Sequence, residues 1–383
     1  MSNIVLLGLV SFFTDVSTQM IYPILPLFLT SVMGVGPLII GIIEGIAESL
    51  ASVLKLFSGI VSDRFGHKKR LAFFGYAASA VNKVIILFAT TWTGVLVARV
   101  IDRFGKGIRT APRDAMIVEA ADKARIGKAF GLHKGMDLLG TAIGILLAWF
   151  ILSFAVNGDG FRSIFLFSLI PAFIGLVILM FVKDKKLEKR PEKKVTFNWK
   201  SLDKRLKLFL VFTFLFTLGN SSNAFILLRI YDVGFSARDA ILLYFVYSMT
   251  GSLLAFPAGS LSDKFGRKNL LCAGYLLYGI VYLGIALVSN NIAFIALFVI
   301  YGFYIAMTAG VERALIADLV PPENKASALG LHAAIVGIGL LPASIIAGLL
   351  WTWLGPSTPF LFGGRLGFIT CVGVFIVLSG RSK

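Results

Sequence analysis

An apolar stretch between residues 93 and 117 carries seven ionisable side chains: Arg99, Asp102, Arg103, Lys106, Arg109, Arg113 and Asp114. On a helix advancing 100° per residue, all seven fall within an arc of about 140°. Val100, Ile101, Phe104, Ile108 and Ala111 occupy the opposite side. From Arg99 to Arg113 the stripe rises roughly 21 Å, most of the depth of a bilayer. Such a face cannot meet lipid; it must line water or pair with acids from neighbouring helices. For Arg109 and Arg113, snorkelling to the interface is an equal reading. For Arg99 and Arg103 a cavity-lining role is expected, where guanidinium forks suit a carboxylate or phosphate held bidentately. Arg99, Arg103, Lys106 and Arg109 outnumber Asp102, so the local field is expected to be positive and to favour an anionic or zwitterionic ligand.

A second stripe is acidic. Glu44, Glu48, Ser52 and Lys55 lie within about 80° of one helix face, whereas the positions 200 residues later are Tyr244, Ser248, Ser252 and Ala255, all neutral. A stripe serving only the fold is expected in both places. Its one-sidedness points to proton binding or to partnership with the arginines, with a static ion pair as the plainer alternative. Asp15, Lys83, Lys134 and Asp137 add to the same half, while the other half holds Arg229, Arg365 and the Glu312–Arg313 pair within apolar stretches. Asp15, Glu44, Glu48 and Asp137 are therefore the proton-coupling candidates. Gln19, Asn220 and Asn223 offer uncharged donors and acceptors for a polar ligand, or for interhelical hydrogen bonds. Tyr22, Phe225, Tyr244, Tyr301 and Tyr304 offer contact surface.

The elements that must position these groups are membrane helices. The sequence is 57% hydrophobic and 15% charged over 383 residues, too apolar for an ordinary soluble enzyme. Runs long enough to cross a hydrocarbon core predict twelve spans: 4–30, 38–60, 71–91, 93–117, 127–154, 163–182, 207–231, 238–260, 269–288, 292–317, 327–351 and 359–379. The alternation of a membrane β-barrel is absent. Of the 37 Lys and Arg, 24 fall in or at the edges of loops after even-numbered spans or in the C-terminal tail, and only Arg162 and Arg238 in or at the edges of loops after odd ones. This asymmetry predicts a multi-pass protein of the plasma (inner) membrane with both termini cytoplasmic. The net charge of +17 thus reflects topology, and no nucleic-acid partner is expected, because the basic segments are short, separated and poor in interleaved aromatics.

The chain repeats itself. Gly59-Ile-Val-Ser-Asp63-Arg64-Phe-Gly66-His-Lys68 returns as Gly259-Ser-Leu-Ser-Asp263-Lys264-Phe-Gly266-Arg-Lys268. Ala115-Met-Ile…Gly131-Leu-His133 returns as Ala314-Leu-Ile…Gly330-Leu-His332, and Ser17-Thr18-Gln19 answers Ser221-Ser222-Asn223. Matches at offsets of 199 to 204 residues predict two parallel halves, 1–182 and 207–383, joined by a basic cytoplasmic linker over 183–206. Glycine at 59 and 259 is expected to let a neighbouring helix approach closely. Asp63 and Asp263 sit where a helix leaves the membrane, and Arg113–Asp114 and Glu312–Arg313 at the ends of spans 4 and 10 are their expected partners.

The duplicated G-x-x-x-D-[RK]-x-G-x-[KR] resembles the signature loop of the major facilitator superfamily, and the resemblance covers essentially the whole chain. Arg103-Phe-Gly-Lys106-Gly107 is similar to the R-x-x-Q-G of proton-coupled members, with Lys106 in place of glutamine. The glycine-rich fifth span has Gly135, Gly140 and Gly144 but lacks the Gly-Pro that ends it in drug antiporters. The resemblance implies an all-α fold of two six-helix bundles around a central cavity, with spans 1, 4, 7 and 10 along the path. It implies a secondary active transporter moving a small solute by alternating access, proton-coupled and working in efflux or antiport, as a monomer without cofactors. It places Gln19, Tyr22, Arg99, Arg103, Asn220 and Asn223 at the solute. The loop and span-end residues Gly59, Asp63, Arg64, Gly66, Arg113, Asp114, Gly259, Asp263, Gly266, Glu312 and Arg313 become gating residues. Gln19 and Asn223 stand where relatives often carry acids. Proton-coupled uptake or uniport of an anionic metabolite, and lipid flipping or extrusion, are the alternatives.

Enzymatic and pump readings find little support. Gly105-Lys-Gly107 lacks the Ser/Thr and spacing of a phosphate-binding loop. No nucleophile stands beside a base and an orienting group. Cys272 and Cys371 lie in separate spans without paired spacing. His133 and Asp137 share a helix face, but two ligands do not make a metal site.

Overall fold

The computed structural model describes residues 3–65, 68–122, 126–154, 160–183, 203–288, 290–321 and 325–379, with the side chains of 55–65, 126–127 and 326–327 outside the description. Among the described residues the regular structure is entirely helical. The helices are α1 (Asn3–Ile21), α2 (Leu25–Ser31), α3 (Pro37–Phe65), α4 (Lys68–Phe88), α5 (Trp92–Ala120), α6 (Ile126–Phe154), α7 (Gly160–Met180), α8 (Lys204–Gly219), α9 (Asn223–Asp232), α10 (Ala237–Phe265), α11 (Arg267–Leu287), α12 (Asn291–Ala309), α13 (Val311–Asp318), α14 (Lys325–Leu354) and α15 (Thr358–Ser379).

These helices match the twelve expected spans once three of them are recognised as broken. Span 1 is α1 plus α2, span 7 is α8 plus α9, and span 10 is α12 plus α13. Pro23 explains the first break, since it has no amide hydrogen and forces its predecessor away from helical geometry. At the second, Asn220 caps the end of α8 and the Ser222 hydroxyl accepts from the amide of Ala224 to start α9. Backbone groups freed inside a membrane must find partners: Gly219 O accepts from the Tyr278 hydroxyl at 2.9 Å. Among the described residues, eleven helical segments are long and apolar enough to cross a membrane. The twelfth expected span is α5, whose charged stripe lowers its hydropathy.

Contacts divide the chain into two units. The first comprises 1–35, 46–192 and 235–242; the second comprises 36–45, 193–234 and 243–383. In the first unit, α1 packs on α6 and α7, and α4 packs on α5. Leu7, Val10, Ala72, Tyr76, Met116, Ile117 and Leu179 form one apolar core there. In the second, α11 packs on α15 and α12, and α8 on α14 and α15. Large apolar side chains such as Phe74, Phe150, Phe173, Phe256 and Phe375 point outward, as expected where the surrounding solvent is lipid.

The α4–α5 contact depends on two glycines. A Cβ on Gly75 would lie 2.6 Å from Gly105 O, and a Cβ on Gly105 would run into Gly75 O. The two backbones therefore touch, and this contact carries Ser79 and Lys83 up to the charged face of α5. Gly105→Ala is expected to lower stability by about 1–3 kcal/mol, the usual range for overpacking. Gly131→Ala, in open space, is the matched control and should be neutral; thermal denaturation in detergent reads both.

Candidate functional site

In the first unit the charged stripe of α5 is turned inward. Arg99, Asp102, Arg103 and Arg109 are each at most 6% exposed, whereas Val97 and Phe104 on the other side are about half exposed. Glu48 of α3 answers the upper arginines: its Oε1 lies 2.9 Å from Arg103 Nη2 and 3.8 Å from Arg99 Nη2. Both guanidinium groups also lie over the ring of Tyr22, at 6.0 and 5.5 Å from its centre. Cation–π contact of this kind strengthens when water is excluded.

Between these two arginines in sequence, Asp102 has other partners. Asp102 Oδ1 accepts from the Ser79 hydroxyl at 2.8 Å and lies 3.5 Å from Lys83 Nζ. Lys83, only 1% exposed, also donates to Thr18 Oγ1 at 3.2 Å. Arg109 Nη1 donates to Ser79 Oγ at 2.7 Å and its guanidinium sits 4.4 Å from the centre of the Tyr76 ring. Arg109 is thus buried and paired rather than snorkelling. Thr18, Tyr22, Asn82, Lys83, Arg99 and Asp102 line a cavity of about 10 Å³, roughly the room one water needs. Asn82 Oδ1 is buried without a hydrogen-bond partner, so a water there has a ready donor role.

Nearer the end of α5, Arg113 donates from Nε and Nη2 to Asp114 Oδ1 at 2.9 and 2.8 Å, and from Nη1 to Ser11 Oγ at 3.2 Å. Ser11 is also bonded to His133 Nε2 at 2.9 Å, and His133 Nδ1 lies 3.6 Å from Asp137 Oδ2. Asp15 feels Lys106, Arg109, Arg113 and Lys134, and Asp15 and Asp137 act on each other. The first unit therefore brings Asp15, Asp137, Arg113 and Asp114 into one network. No metal-holding group of three His, Cys, Asp or Glu occurs among the described residues. Gln19, also in α1, has its Oε1 buried without a hydrogen-bond partner.

The acidic stripe of α3 is divided between the two units. Glu48, in the first, pairs with Arg103 and Arg99. Glu44, 2% exposed, falls in the second unit, where the Ser222 hydroxyl approaches its Oε2 at 3.4 Å.

The second unit gathers the amides and an aromatic cluster. Asn220 Nδ2 donates to the Tyr304 hydroxyl at 3.2 Å, and Asn223 reaches Tyr247. Tyr247, Tyr278, Tyr282, Tyr301 and Tyr304 form a chain of ring contacts with centres 4.0 to 5.9 Å apart. All five are at most 5% exposed. Tyr301 and Tyr304 are among the contact residues expected from the sequence; Tyr247, Tyr278 and Tyr282, and the joining of all five, were missed. The cluster's signal was the spacing: Tyr244/Tyr247, Tyr275/Tyr278/Tyr282 and Tyr301/Tyr304 recur at three- and four-residue steps, which places each set on one helix face.

The gating candidates separate. Gly59, Asp63, Arg64 and Gly66 lie outside the described residues, the first three by their side chains. Among the described residues, a methyl group on Gly259 would meet nothing within 4 Å, so none of them makes the expected close approach there. Asp263, exposed, pairs with Arg267 at 3.7 Å, and Arg267 reaches Asp318 at 2.8 Å. Its partner is therefore the loop's own arginine rather than the Glu312–Arg313 pair. Glu312 instead accepts from the Tyr275 hydroxyl at 3.0 Å and lies 3.4 Å from His332 Nε2, while Arg313 is exposed. Gly266 has φ of +86°, a conformation that favours glycine. In the first unit, Lys68 pairs with Glu119, so both halves join the loop to the end of span 4 or 10 by an ion pair.

The sequence profile of the Major Facilitator Superfamily matches residues 7–231 and 208–383. An uncharacterized MFS-type transporter of Methanocaldococcus jannaschii is 38% identical over 376 residues, covering 96% of this chain and 93% of its own. The chain belongs to the major facilitator superfamily. It is accordingly a membrane transporter and not an enzyme. An uncharacterized protein of Mycobacterium tuberculosis is 24% identical over 84% of this chain and 79% of its own. The quinolone resistance protein NorA of Staphylococcus aureus is 26% identical over 40% of this chain and 39% of its own. The crystal structure of the nucleoside transporter NupG covers 100% of both chains with a TM-score of 0.82 at 14% identity. That of a D-xylose-proton symporter reaches 0.73 at 17% identity, covering 97% and 96%. At such identities the solved structures share the fold with this superfamily member and say nothing of its solute.

Proposed function

We propose that this transporter moves a small anionic or zwitterionic solute by alternating access, coupled to protons. The observation that carries the reading is the bridge from Glu48 to Arg103 and Arg99. A carboxylate already occupies the arginines, so Glu48 holds the place of a solute carboxylate or phosphate. The incoming anion displaces it, and a displaced carboxylate at low dielectric is best accommodated protonated. Proton and anion therefore load together, which is the thermodynamics of symport. Tyr22 and Gln19 support the site from α1; in the second unit, taken by itself, Asn220 and Asn223 are proposed to offer a polar solute uncharged contacts. Asp15, Asp137 and Glu44 are further proton carriers in this reading. The Lys68–Glu119 and Asp263–Arg267–Asp318 pairs act as latches with Asp63 and Arg64.

Efflux by antiport is the second reading, favoured by the partial likeness to the quinolone resistance protein. There a cationic group of the solute competes with the proton for Glu48 itself. The charge asymmetry of the loops supports placement in the plasma (inner) membrane with both termini cytoplasmic. The two readings separate in vesicles containing the purified chain and a pH dye. Symport is expected to move protons in the same direction as the added solute, antiport in the opposite one. Glu48→Gln should flatten the pH dependence of flux with abundance near normal, and Glu44→Gln should do so less. A parent-like pH dependence in both variants refutes coupling through α3.

A further inference from the structure

A groove of about 600 Å³, separate from the charged stripe, opens between the start of α4 and the end of α7. Lys69, Arg70, Phe73, Phe74 and Met180 line it. Lys69 and Arg70 stand in the first turn of α4, and Phe73 and Phe74 follow each of them by four residues. On a helix that spacing puts each ring directly beneath its cation. The groove is therefore basic at its upper end and aromatic a turn deeper. Phe74 is 67% exposed and Met180 57%. Lys69 Nζ donates to the carbonyl of Met180 at 2.7 Å, which holds one cation at the groove's upper rim while Arg70 stays exposed.

We propose that this groove is a binding site for an anionic phospholipid, with the phosphate at Lys69 and Arg70 and the acyl chains along Phe73, Phe74 and Met180. The basic and aromatic layers match the headgroup and the tails of such a lipid. Cations at the membrane surface attract an anionic headgroup, and basic pockets between membrane helices take lipid phosphates. A free phosphate uses only the upper layer and leaves the aromatic floor without an occupant. In the second unit the counterpart of Lys69 is Lys268, whose Nζ donates to Ser379 Oγ at 3.1 Å and lies 4.6 Å from the centre of the Phe375 ring, while Asn269, Cys272 and Ala273 stand in place of Arg70, Phe73 and Phe74. The second cation and the two rings beneath the pair are thus particular to the first unit.

The test uses the full chain purified in a neutral detergent, with bound lipid read by native mass spectrometry. Phosphatidylglycerol is expected to remain bound where phosphatidylcholine is lost. Lys69→Gln combined with Arg70→Gln should weaken phosphatidylglycerol retention roughly tenfold or more, the scale expected for two surface charges. Arg70→Gln alone, at an exposed position, guards against a folding defect and should give an intermediate loss. Lys128→Gln combined with Lys325→Gln removes the same charge at two other exposed sites and should leave retention unchanged. Equal loss in that control, equal retention of the two lipids, or displacement of the lipid by inorganic phosphate at similar concentration each overturns the proposal.

Discussion

Asp102→Ala is expected to be the most destructive single substitution in the first unit, lowering stability by on the order of 3–5 kcal/mol. Asp102 faces Lys83, Arg103, Arg109 and Arg99, and Glu48 is engaged with two of these already. Without Asp102, the buried Lys83 ammonium loses its carboxylate and is left with the Thr18 hydroxyl. An uncompensated charge in the interior costs far more than the pair contributes when intact. Lys83→Met should be milder, because the carboxylate retains the Ser79 hydroxyl and three nearby guanidinium groups. Lys83→Met with Asp102→Leu should recover part of the loss relative to Asp102→Ala. Melting temperature and membrane abundance of the three variants give the order. If Asp102→Ala melts with the parent, the buried pair does not hold α4 to α5.

The second large effect belongs to solute affinity. Arg103→Ala is expected to weaken an anionic solute roughly 10- to 100-fold, the range for losing a hydrogen-bonded charged group. Arg103→Lys keeps the charge but not the planar fork, so it should recover only some of that loss. Both variants leave Glu48 with Arg99 at 3.8 Å, which preserves a partner for the carboxylate and limits the structural damage. Binding to the purified protein, measured beside a melting curve, separates lost affinity from lost fold. An organic cation transported with unchanged affinity by both variants contradicts the anionic reading.

The membrane class, the twelve spans and the duplication could be read from the sequence because each is a one-dimensional property. Runs of apolar residues set the spans, Lys and Arg in alternate loops set the expected topology, and recurrence at a near-constant offset set the halves. The inward face of α5 was equally legible, since a helix fixes which residues share a face. Pairing is a different matter, because it depends on distances between helices. Glu44 and Glu48 share a stripe by spacing, yet one lies near Ser222 and the other binds arginines. Gly75 and Gly105 decide how closely Ser79 and Lys83 approach Asp102. The breaks in spans 1, 7 and 10 were hidden as well: hydropathy continues through Tyr22, Asn220 and Gly310 while the regular helix does not. The sequence by itself determined that charges lie inside a membrane helix and on which side. Only the tertiary structure decided which carboxylate meets which cation, because backbone contact between helices, not residue spacing along them, sets those distances.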